Sequence, residues 1–277
     1  MEYLFSAWRQ IATQLRAARH IMFISDYDGT LAPIMDRPEL ANLSPKAKEL
    51  LQALAHQRRY TVGIISGRAL ADLKRKVGIR GIIYAGNHGL EVEGPGMSFV
   101  NPVAEEIKPI LRLLHGILSM ALGRVKGAWV EDKGLTLSVH YRLAAEDKAG
   151  EVENIFEQVV APARSRGKIK TTSGKKVYEV RPAVAWDKGK AIALILEKYK
   201  KGKGKALPMF LGDDLTDEDG FKVINKCNGI SIVVGEEAGA THARYFLKSP
   251  AEVEELLEML LGRDRKLHKE GGDYLVR

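Results

Sequence analysis

The sequence has 277 residues, of which 45% are hydrophobic and 28% are charged. These proportions are typical of globular proteins and exclude a collagen-like chain, a coiled coil or a mainly disordered protein. The net charge of +8 leads us to expect an anionic partner, either a nucleic acid or a small phosphorylated compound. The single cysteine, Cys227, excludes internal disulfides and cysteine-rich zinc sites and is typical of a reducing compartment.

The apolar segments of the sequence are short. None reaches the roughly 18 uninterrupted apolar residues that a membrane span requires, and the nearest run, Ile110–Leu122, contains Arg112 and His115. The N-terminal segment lacks the basic and apolar regions of a signal peptide. We therefore expect a soluble, cytoplasmic protein with no membrane partner.

Helices and strands alternate over the first 90 residues. The predicted elements are a helix over 4–19, a buried strand at Ile21–Ile24, a helix from Pro45 to about Arg58, a strand at Tyr60–Ile65, a helix over 69–76 and a strand at Gly81–Tyr84. Ser44 and Pro45 are typical of a helix N-cap and first helical residue. This β-α-β-α-β order predicts a parallel sheet with helices on its faces.

The pattern changes after Gly86 and returns at Asp187. Between them we predict helices over 103–122 and 146–160, an antiparallel hairpin of Ala128–Asp132 and Leu135–Tyr141, and strands near 168–172 and 176–181. Beyond Asp187 we predict a helix over 188–199, a loop over 200–205, a strand at Met209–Leu211, a helix over 217–225, a strand at Gly229–Val234, a helix near 250–261 and a frayed tail over 262–277. The sequence thus predicts an α/β protein with a split parallel-sheet core, residues 1–87 and 184–277, and an inserted α/β domain, residues 88–183.

Two carboxylates stand one residue apart directly after the first buried strand, in the segment Asp26–Thr30. Open parallel sheets bind ligands at the carboxyl ends of their strands. Neighbouring carboxylates repel each other unless a cation binds between them. A solvated Asp-Gly turn is the alternative, because both residue types are common in turns.

Three further segments carry polar groups at a strand end or a helix start. Ser66 offers a hydroxyl near helix N–H groups that suit a phosphate oxygen, although by itself it is more typical of an N-cap. Lys188 can neutralise a transferring phosphoryl group, unless it is a solvated lysine. Residues 213–219 hold five acidic side chains, which suit Mg²⁺. An acidic helix start explains the last three of these, but less easily Asp213 and Asp214.

Together the four segments resemble the four motifs of the haloacid dehalogenase superfamily of phosphotransferases. Within that superfamily, roughly residues 20–250 resemble the trehalose-6-phosphate phosphatase family. The segments that carry this resemblance are Asp26–Leu31, Ile65–Arg68, Tyr84–Glu91, Glu131–Arg142, Lys176–Pro182, Asp187–Ala191 and Gly212–Phe221. The resemblance implies a Rossmann-like core with a cap domain that acts as a lid, and Mg²⁺-dependent hydrolysis of trehalose 6-phosphate.

The resemblance also implies roles for single residues. Asp26 would be the nucleophile that forms an aspartyl-phosphate, and Asp28 the general acid and base. The phosphoryl group would be held by Ser66, Lys188, Gly29, Thr30, Gly67 and Arg68. The metal would be held by Asp26, the backbone carbonyl of Asp28 and Asp213, with Asp214 acting through water.

Sugar recognition is implied for six residues of the insert, which are Glu131, Lys133, His140, Arg142, Lys176 and Glu179. The alternative is that they form ordinary cross-strand charge pairs. Three roles are open for His88, which are a hinge, a group behind the site and a purely structural residue. Sucrose phosphate and glucosylglycerate phosphate are alternative substrates. A catalytically inactive relative is a further alternative, but the presence of every motif carboxylate argues against it.

The charge balance leaves a nucleic-acid binder as a reading from another class. It is motivated by the basic pI and by a cluster of lysines, which are Lys198, Lys200, Lys201, Lys203 and Lys205. We favour a solvated loop, because Tyr199 is the one aromatic residue near them, and we expect no nucleic-acid partner. We expect a monomer, and the resemblance leaves trehalose-6-phosphate synthase open as a protein partner.

Overall fold

The computed structural model describes residues 1–35, 37–174, 176–200, 206–235 and 240–262. Its contacts divide the chain into two compact units, Met1–Ser98 with Asp187–Arg277, and Phe99–Trp186. The predicted loop over 200–205, beyond Lys200, and the predicted tail, beyond Gly262, lie outside the described residues. Across the described ranges, no helix has both the length and the apolar character that crossing a membrane requires.

The helices and strands follow one another in a βαβ rhythm that the central segment interrupts. The first are β1 (Glu2–Tyr3), α1 (Trp8–Ala17), β2 (Ile21–Asp26), α2 (Pro45–His56), β3 (Tyr60–Ile65), α3 (Leu70–Val77), β4 (Ile83–Gly86), β5 (Glu91–Gly94) and β6 (Met97–Val100). The central ones are α4 (Pro102–Glu106), α5 (Lys108–Leu122), β7 (Trp129–Asp132), β8 (Leu137–His140), α6 (Ala149–Ser165), β9 (Ile169–Gly174) and β10 (Val177–Pro182). The last are α7 (Lys188–Lys200), β11 (Leu207–Gly212), α8 (Glu218–Lys226), β12 (Ile230–Val234), β13 (Tyr245–Leu247) and α9 (Pro250–Leu260).

The larger unit is built on a nine-stranded sheet with the order β1-β13-β12-β11-β2-β3-β4-β5-β6. In this order, each neighbouring pair of strands from β1 across the sheet to β4 is parallel, and β5 runs antiparallel to β4. In register, Ser25 pairs with Leu211 and Asp26 pairs with Ile65. Because parallel strands end at the same edge, the residues that follow β2, β3 and β11 are brought together there.

Strand β2 is apolar over most of its length and lies in the interior of the large sheet. It is flanked by a parallel strand on each side and covered on both faces, so all six of its residues are buried. Phe23 and Leu211 lie in the same apolar cluster as Leu54 and Leu257 of the flanking helices. Burial of one such side chain contributes about 1.5–3 kcal/mol, which fixes the strand that carries Asp26.

The smaller unit has a four-stranded antiparallel sheet with the order β7-β8-β10-β9. Alternate residues of its strands, among them Leu137, Val139 and Val180, are buried in an apolar cluster with α5 and α6. The residues between them therefore lie on the other face, because side chains alternate along a strand. We call this second face the polar face of the small sheet.

The predicted α/β class with a parallel-sheet core is confirmed, but several boundaries differ. The insert begins at Phe99 rather than at residue 88, because β5 and β6 extend the large sheet. It ends at Trp186 rather than at residue 183. That these two units are independent domains stays a prediction.

The predicted helices also differ in their bounds. The helix predicted from residue 4 begins at Trp8, because Glu2–Tyr3 pairs with β13. The helix predicted over 103–122 is interrupted at Ile107, two residues before Pro109, whose ring and missing N–H do not fit a helix interior. The helix predicted to end at residue 160 continues to Ser165.

Candidate active site

Three buried charged residues form the centre of the site. Asp26 ends β2, Lys188 begins α7, and Asp217 lies in a 3₁₀ turn between β11 and α8. Lys188 Nζ donates to Asp26 Oδ1 at 2.6 Å and to Asp217 Oδ1 at 2.7 Å. Their side chains are 6% exposed or less, so these charge-assisted hydrogen bonds are shielded from water.

The carboxylates at this point outnumber the ammonium. Oxygen atoms of Asp26, Asp213 and Asp217 lie within 4.8 Å of one another. Burial, with the neighbouring carboxylates, raises the pKa of Asp213 to about 7 and that of Asp217 to about 6. Burial also raises the pKa of Asp26 well above its usual value, against the opposing effect of Lys188. When all three carboxylates are ionised, the single ammonium leaves two uncompensated negative charges, which a divalent cation would balance.

The turn after β2 brings Gly29 and Thr30 against Asp213. Gly29 has φ +84°, and a Cβ placed on it would lie 2.0 Å from Asp213 Oδ2, so no other residue fits this turn without displacing the carboxylate. Thr30 Oγ1 donates to Asp213 Oδ1 at 3.3 Å. Asp214 faces its own chain instead, where its Oδ1 accepts from the Thr216 N–H at 2.8 Å and from Thr216 Oγ1 at 2.7 Å.

Asp28 is held by Arg68 through two hydrogen bonds. Arg68 Nε donates to Asp28 Oδ2 at 2.8 Å, and Arg68 Nη2 donates to Oδ1 at 2.6 Å. Arg68 also binds Asp72 at 2.9 Å and lies over the Tyr27 ring at 5.3 Å. Although burial alone would lower the pKa of Arg68, the Asp28 carboxylate outweighs it and raises that pKa. Ser66 Oγ lies 3.5 Å from Asp28 Oδ2, at the edge of hydrogen-bonding distance.

The structure therefore brings most of the core residues predicted for the site to one edge of the sheet. Two stand in contacts that the sequence did not indicate, because Arg68 binds Asp28 and Asp214 caps a turn. The catalytic and ligand roles of all of them stay predictions.

Asp217 was missed as a site residue, because acidic residues at a helix start are common. The residue that could have indicated Asp217 is Gly212, because a Cβ at position 212 would stand 2.3 Å from Asp217 Cγ. The glycine therefore leaves room for a buried carboxylate.

The polar face of the small sheet carries a second cluster of charges. His140 Nε2 lies 2.8 Å from Glu131 Oε2. Lys133 Nζ lies 3.6 Å from Glu179 Oε1 and 3.9 Å from Glu131 Oε2. Arg181 donates to Glu179 Oε2 from Nε at 2.9 Å and from Nη2 at 2.5 Å. Four of the six residues predicted for sugar recognition thus lie in one network, to which the sequence analysis had not assigned Arg181.

The other two predicted sugar-binding residues are Lys176 and Arg142. Lys176 has φ +59° and donates from Nζ to Glu146 at 3.2 Å. Arg142 follows β8 by two residues and is half-buried. Two further residues of the polar face escaped the sequence analysis. Trp129 stacks on His140 with 4.7 Å between ring centroids, and the buried Ser138 hydroxyl has no hydrogen-bond partner among the described residues.

Comparison with known proteins identifies the family. Residues 24–251 match the family model described as trehalose-phosphatase. The chain is 40% identical to a trehalose-phosphate phosphatase of Mycobacterium tuberculosis over 248 residues, which are 88% of this chain and 62% of that protein. The chain thus spans about three fifths of the length of the mycobacterial relatives it matches.

Solved structures show the same fold. The C-terminal domain of a trehalose-6-phosphate phosphatase from Candida albicans superposes with a TM-score of 0.77 at 25% identity, over 92% of this chain and 96% of that one. A haloacid dehalogenase-like hydrolase from Bacteroides thetaiotaomicron, at 16% identity and TM-score 0.60, covers 87% of this chain and 99% of its own and shows the fold alone. The matched residues include both the buried carboxylates and the polar face, and the chain belongs to the trehalose-phosphatase family.

Proposed function

We propose that this protein is a Mg²⁺-dependent phosphomonoesterase that hydrolyses trehalose 6-phosphate to trehalose and phosphate. The observation that carries the proposal is the cluster of Asp26, Asp213 and Asp217 around Lys188, in which Asp26, Asp217 and Lys188 are buried. The match of residues 24–251 to the trehalose-phosphatase family supports it. Buried carboxylates with uncompensated charge are typical of functional sites rather than of stable cores. Cytoplasmic location and a monomeric state remain part of the proposal.

Asp26 is the nucleophile in this proposal. Its carboxylate oxygen forms a bond to phosphorus while the bond from phosphorus to the sugar oxygen breaks, and Asp28 supplies the proton that the leaving oxygen takes up. Water then attacks the aspartyl-phosphate, Asp28 accepts a proton from it, and phosphate leaves with Asp26 restored. Because Arg68 holds both oxygens of Asp28, one of these hydrogen bonds must loosen during each proton transfer.

Lys188 has two tasks in the same site. Burial alone would lower its pKa, but Asp217 and Asp26 outweigh burial and raise it, so the ammonium stays charged at any physiological pH. It orients Asp26 and offers positive charge to the phosphoryl oxygens. Ser66 and the backbone N–H groups near Gly29 and Gly67 would complete the phosphoryl site.

The donor set fits a hard divalent cation. Mg²⁺ prefers carboxylate oxygens and retains several waters, and the three clustered carboxylates supply such oxygens with surplus negative charge. Asp26 and Asp213 would hold the ion, with the Asp28 carbonyl, while Asp214 would act through water. The bound ion would offset the repulsion between an anionic nucleophile and an anionic phosphate.

Removal of the metal tests this part of the proposal. Activity should vanish in EDTA and return with Mg²⁺, whereas Ca²⁺ should support it poorly because its larger, looser coordination misplaces the reacting groups. Mg²⁺ should also raise the melting temperature of the metal-free protein, since a ligand that binds the folded state stabilises it. Full activity in thoroughly chelated protein would contradict the assignment.

Sugar recognition is assigned to the polar face of the small sheet. Trehalose carries no charge beyond its phosphate, so selectivity must come from hydrogen bonds to hydroxyl groups. Glu131 is held by His140, and Glu179 is held by Lys133 and Arg181, so both carboxylates have fixed positions on this face. Lys133, His140, Arg142 and Lys176 would act with them.

Two variants on the polar face separate sugar recognition from chemistry. Glu131→Ala and Glu179→Ala should each lower kcat/KM for trehalose 6-phosphate about ten- to a hundredfold, because a hydrogen bond to a charged group contributes roughly 1.5–3 kcal/mol. Turnover of a small aryl phosphate should stay nearly unchanged. Glu157→Ala is the matched control, because Glu157 pairs with Arg164 on α6. Equal losses on both substrates would show that the two glutamates serve the fold, and no loss on either that they are surface charge pairs.

A further inference from the structure

A strained turn follows β4. Asn87, His88 and Gly89 have φ values of +50°, +56° and +84°, so three consecutive residues are left-handed. Residues other than glycine seldom adopt this conformation, and such strain tends to occur where a site requires it. The side chain of Asn87 stabilises the turn by donating to Glu91 Oε1 at 2.7 Å, which also accepts from the N–H of Leu70 at 3.0 Å.

The strained turn is packed against the phosphoryl-binding turn Ser66–Arg68. The Asn87 N–H donates to the Arg68 carbonyl at 2.7 Å, and the His88 N–H donates to the Ser66 carbonyl at 2.8 Å. The His88 ring lies directly on Gly67, where a Cβ would come within 2.6 Å of His88 Nε2. The ring therefore occupies the space that a side chain at position 67 would need.

Gly67 supplies the one free backbone donor of its turn. The N–H of Ser66 donates to the Ala85 carbonyl at 2.9 Å, and that of Arg68 donates to Ser66 Oγ at 3.1 Å. The Gly67 N–H has no hydrogen-bond partner among the described residues. Glycine is also the residue with the greatest backbone freedom, so a donor on Gly67 points in a fixed direction only if a neighbour restrains it.

We propose that His88 is a positioning residue whose ring restrains Gly67, so that the Gly67 N–H is aimed at a phosphoryl oxygen. This inference rests on the proposed function and adds to it a residue to which that function assigns no role. The left-handed strain at His88 is the cost of placing a ring there. The chain gains in return a preorganised donor, which contributes more to binding than a mobile one.

The variant His88→Gly distinguishes positioning from a merely structural role. It relieves the strain at φ +56° and adds backbone freedom to the unfolded chain, and because these effects oppose each other the melting temperature should stay within about 3 °C of wild type. The inhibition constant for inorganic phosphate, measured with Mg²⁺ present, should rise about tenfold, because fixing one backbone residue is worth roughly that factor. Losses in kcat/KM should be equal for trehalose 6-phosphate and for an aryl phosphate.

Two further variants sharpen the experiment. Asn228→Gly changes another left-handed residue, which is exposed in the turn after α8, and it should leave phosphate affinity unchanged. His88→Asn keeps a residue type that tolerates this conformation and should weaken phosphate binding as His88→Gly does. Phosphate binding is followed by the shift in melting temperature as well as by inhibition, so the readout does not depend on turnover.

The outcomes separate the inference from the function on which it rests. If wild type binds phosphate and His88→Gly binds it equally well, His88 is not a positioning residue. A large loss of melting temperature in both His88 variants would make the ring structural and overturn the inference. If wild type neither binds phosphate nor hydrolyses a phosphate ester, the proposed function fails together with the inference.

Discussion

Asp26→Asn is expected to lower phosphate release from trehalose 6-phosphate by several orders of magnitude while the protein stays folded. The amide has almost the size of the carboxylate, but it lacks the anionic oxygen that attacks phosphorus. It also removes one of the charges that surround Lys188, yet Asp217 still holds the ammonium at 2.7 Å. The melting temperature should therefore stay close to that of wild type, and both quantities are measured on the same preparation.

Asp219→Asn is the matched control for this variant. Asp219 lies in the first turn of α8 and pairs with Lys222 on the surface, where both side chains are more than two fifths exposed. Its loss should leave turnover within about twofold of wild type, because exposed ion pairs contribute little. If Asp26→Asn kept even a tenth of wild-type turnover, Asp26 would not be the nucleophile.

Lys188→Met should produce the largest combined loss of activity and stability. The variant leaves Asp26 and Asp217 buried without the ammonium that both bind, and breaking a buried pair in this way costs about 3–5 kcal/mol. Turnover should fall by several orders of magnitude, because the phosphoryl group loses its buried cation. Unfolding by urea in metal-free buffer measures the first effect, and phosphate release with Mg²⁺ measures the second.

The destabilisation of Lys188→Met should depend on pH. Burial already raises the pKa of Asp217 to about 6 in the presence of Lys188, and without the ammonium the pKa of both partners must lie higher. The folded variant then binds more protons than the unfolded chain, whose carboxyl groups titrate near 3.9, so its stability rises as the pH falls. The loss should be largest near pH 8 and smaller at pH 5.

Two matched variants complete the test of Lys188. Lys190→Met changes an exposed lysine of the same helix and should alter neither quantity appreciably. Adding Asp217→Asn to Lys188→Met should recover part of the stability but none of the activity. A Lys188→Met protein as stable as wild type at pH 8 without metal would contradict the account of the buried charges.

The sequence contained enough to predict the fold class and the gathering of the site. Each motif follows a buried strand or opens a helix, and the parallel arrangement of β2, β3 and β11 places their ends at one edge. The strands themselves were recognisable as mainly apolar runs of three to six residues bounded by glycine and polar residues. The positions of these strands and of the motifs after them could be predicted because hydrophobic periodicity and turn residues are local features of the sequence.

Features that depend on distant contacts could not be read in this way. The two-residue strand β1 exists because it pairs with β13, more than 240 residues away, and no pattern of alternation marks so short a segment. The bond between Arg68 and Asp28 and the burial of Asp217 likewise arise only when separate segments meet. Arg181 was likewise identified only from the structure, where it donates to Glu179 from the same face of the strand, two residues further along.

The measurement that tests the central claim most directly is phosphate release by the Mg²⁺-loaded protein from a matched panel of phosphate esters. The panel holds trehalose 6-phosphate, sucrose phosphate, glucosylglycerate phosphate, glucose 6-phosphate and an aryl phosphate, each assayed for kcat/KM. The account predicts that trehalose 6-phosphate exceeds every other member about tenfold or more, since each missing hydrogen bond to a charged group of the polar face costs roughly that factor. Equal rates across the panel, or a preference for another sugar phosphate, would contradict it.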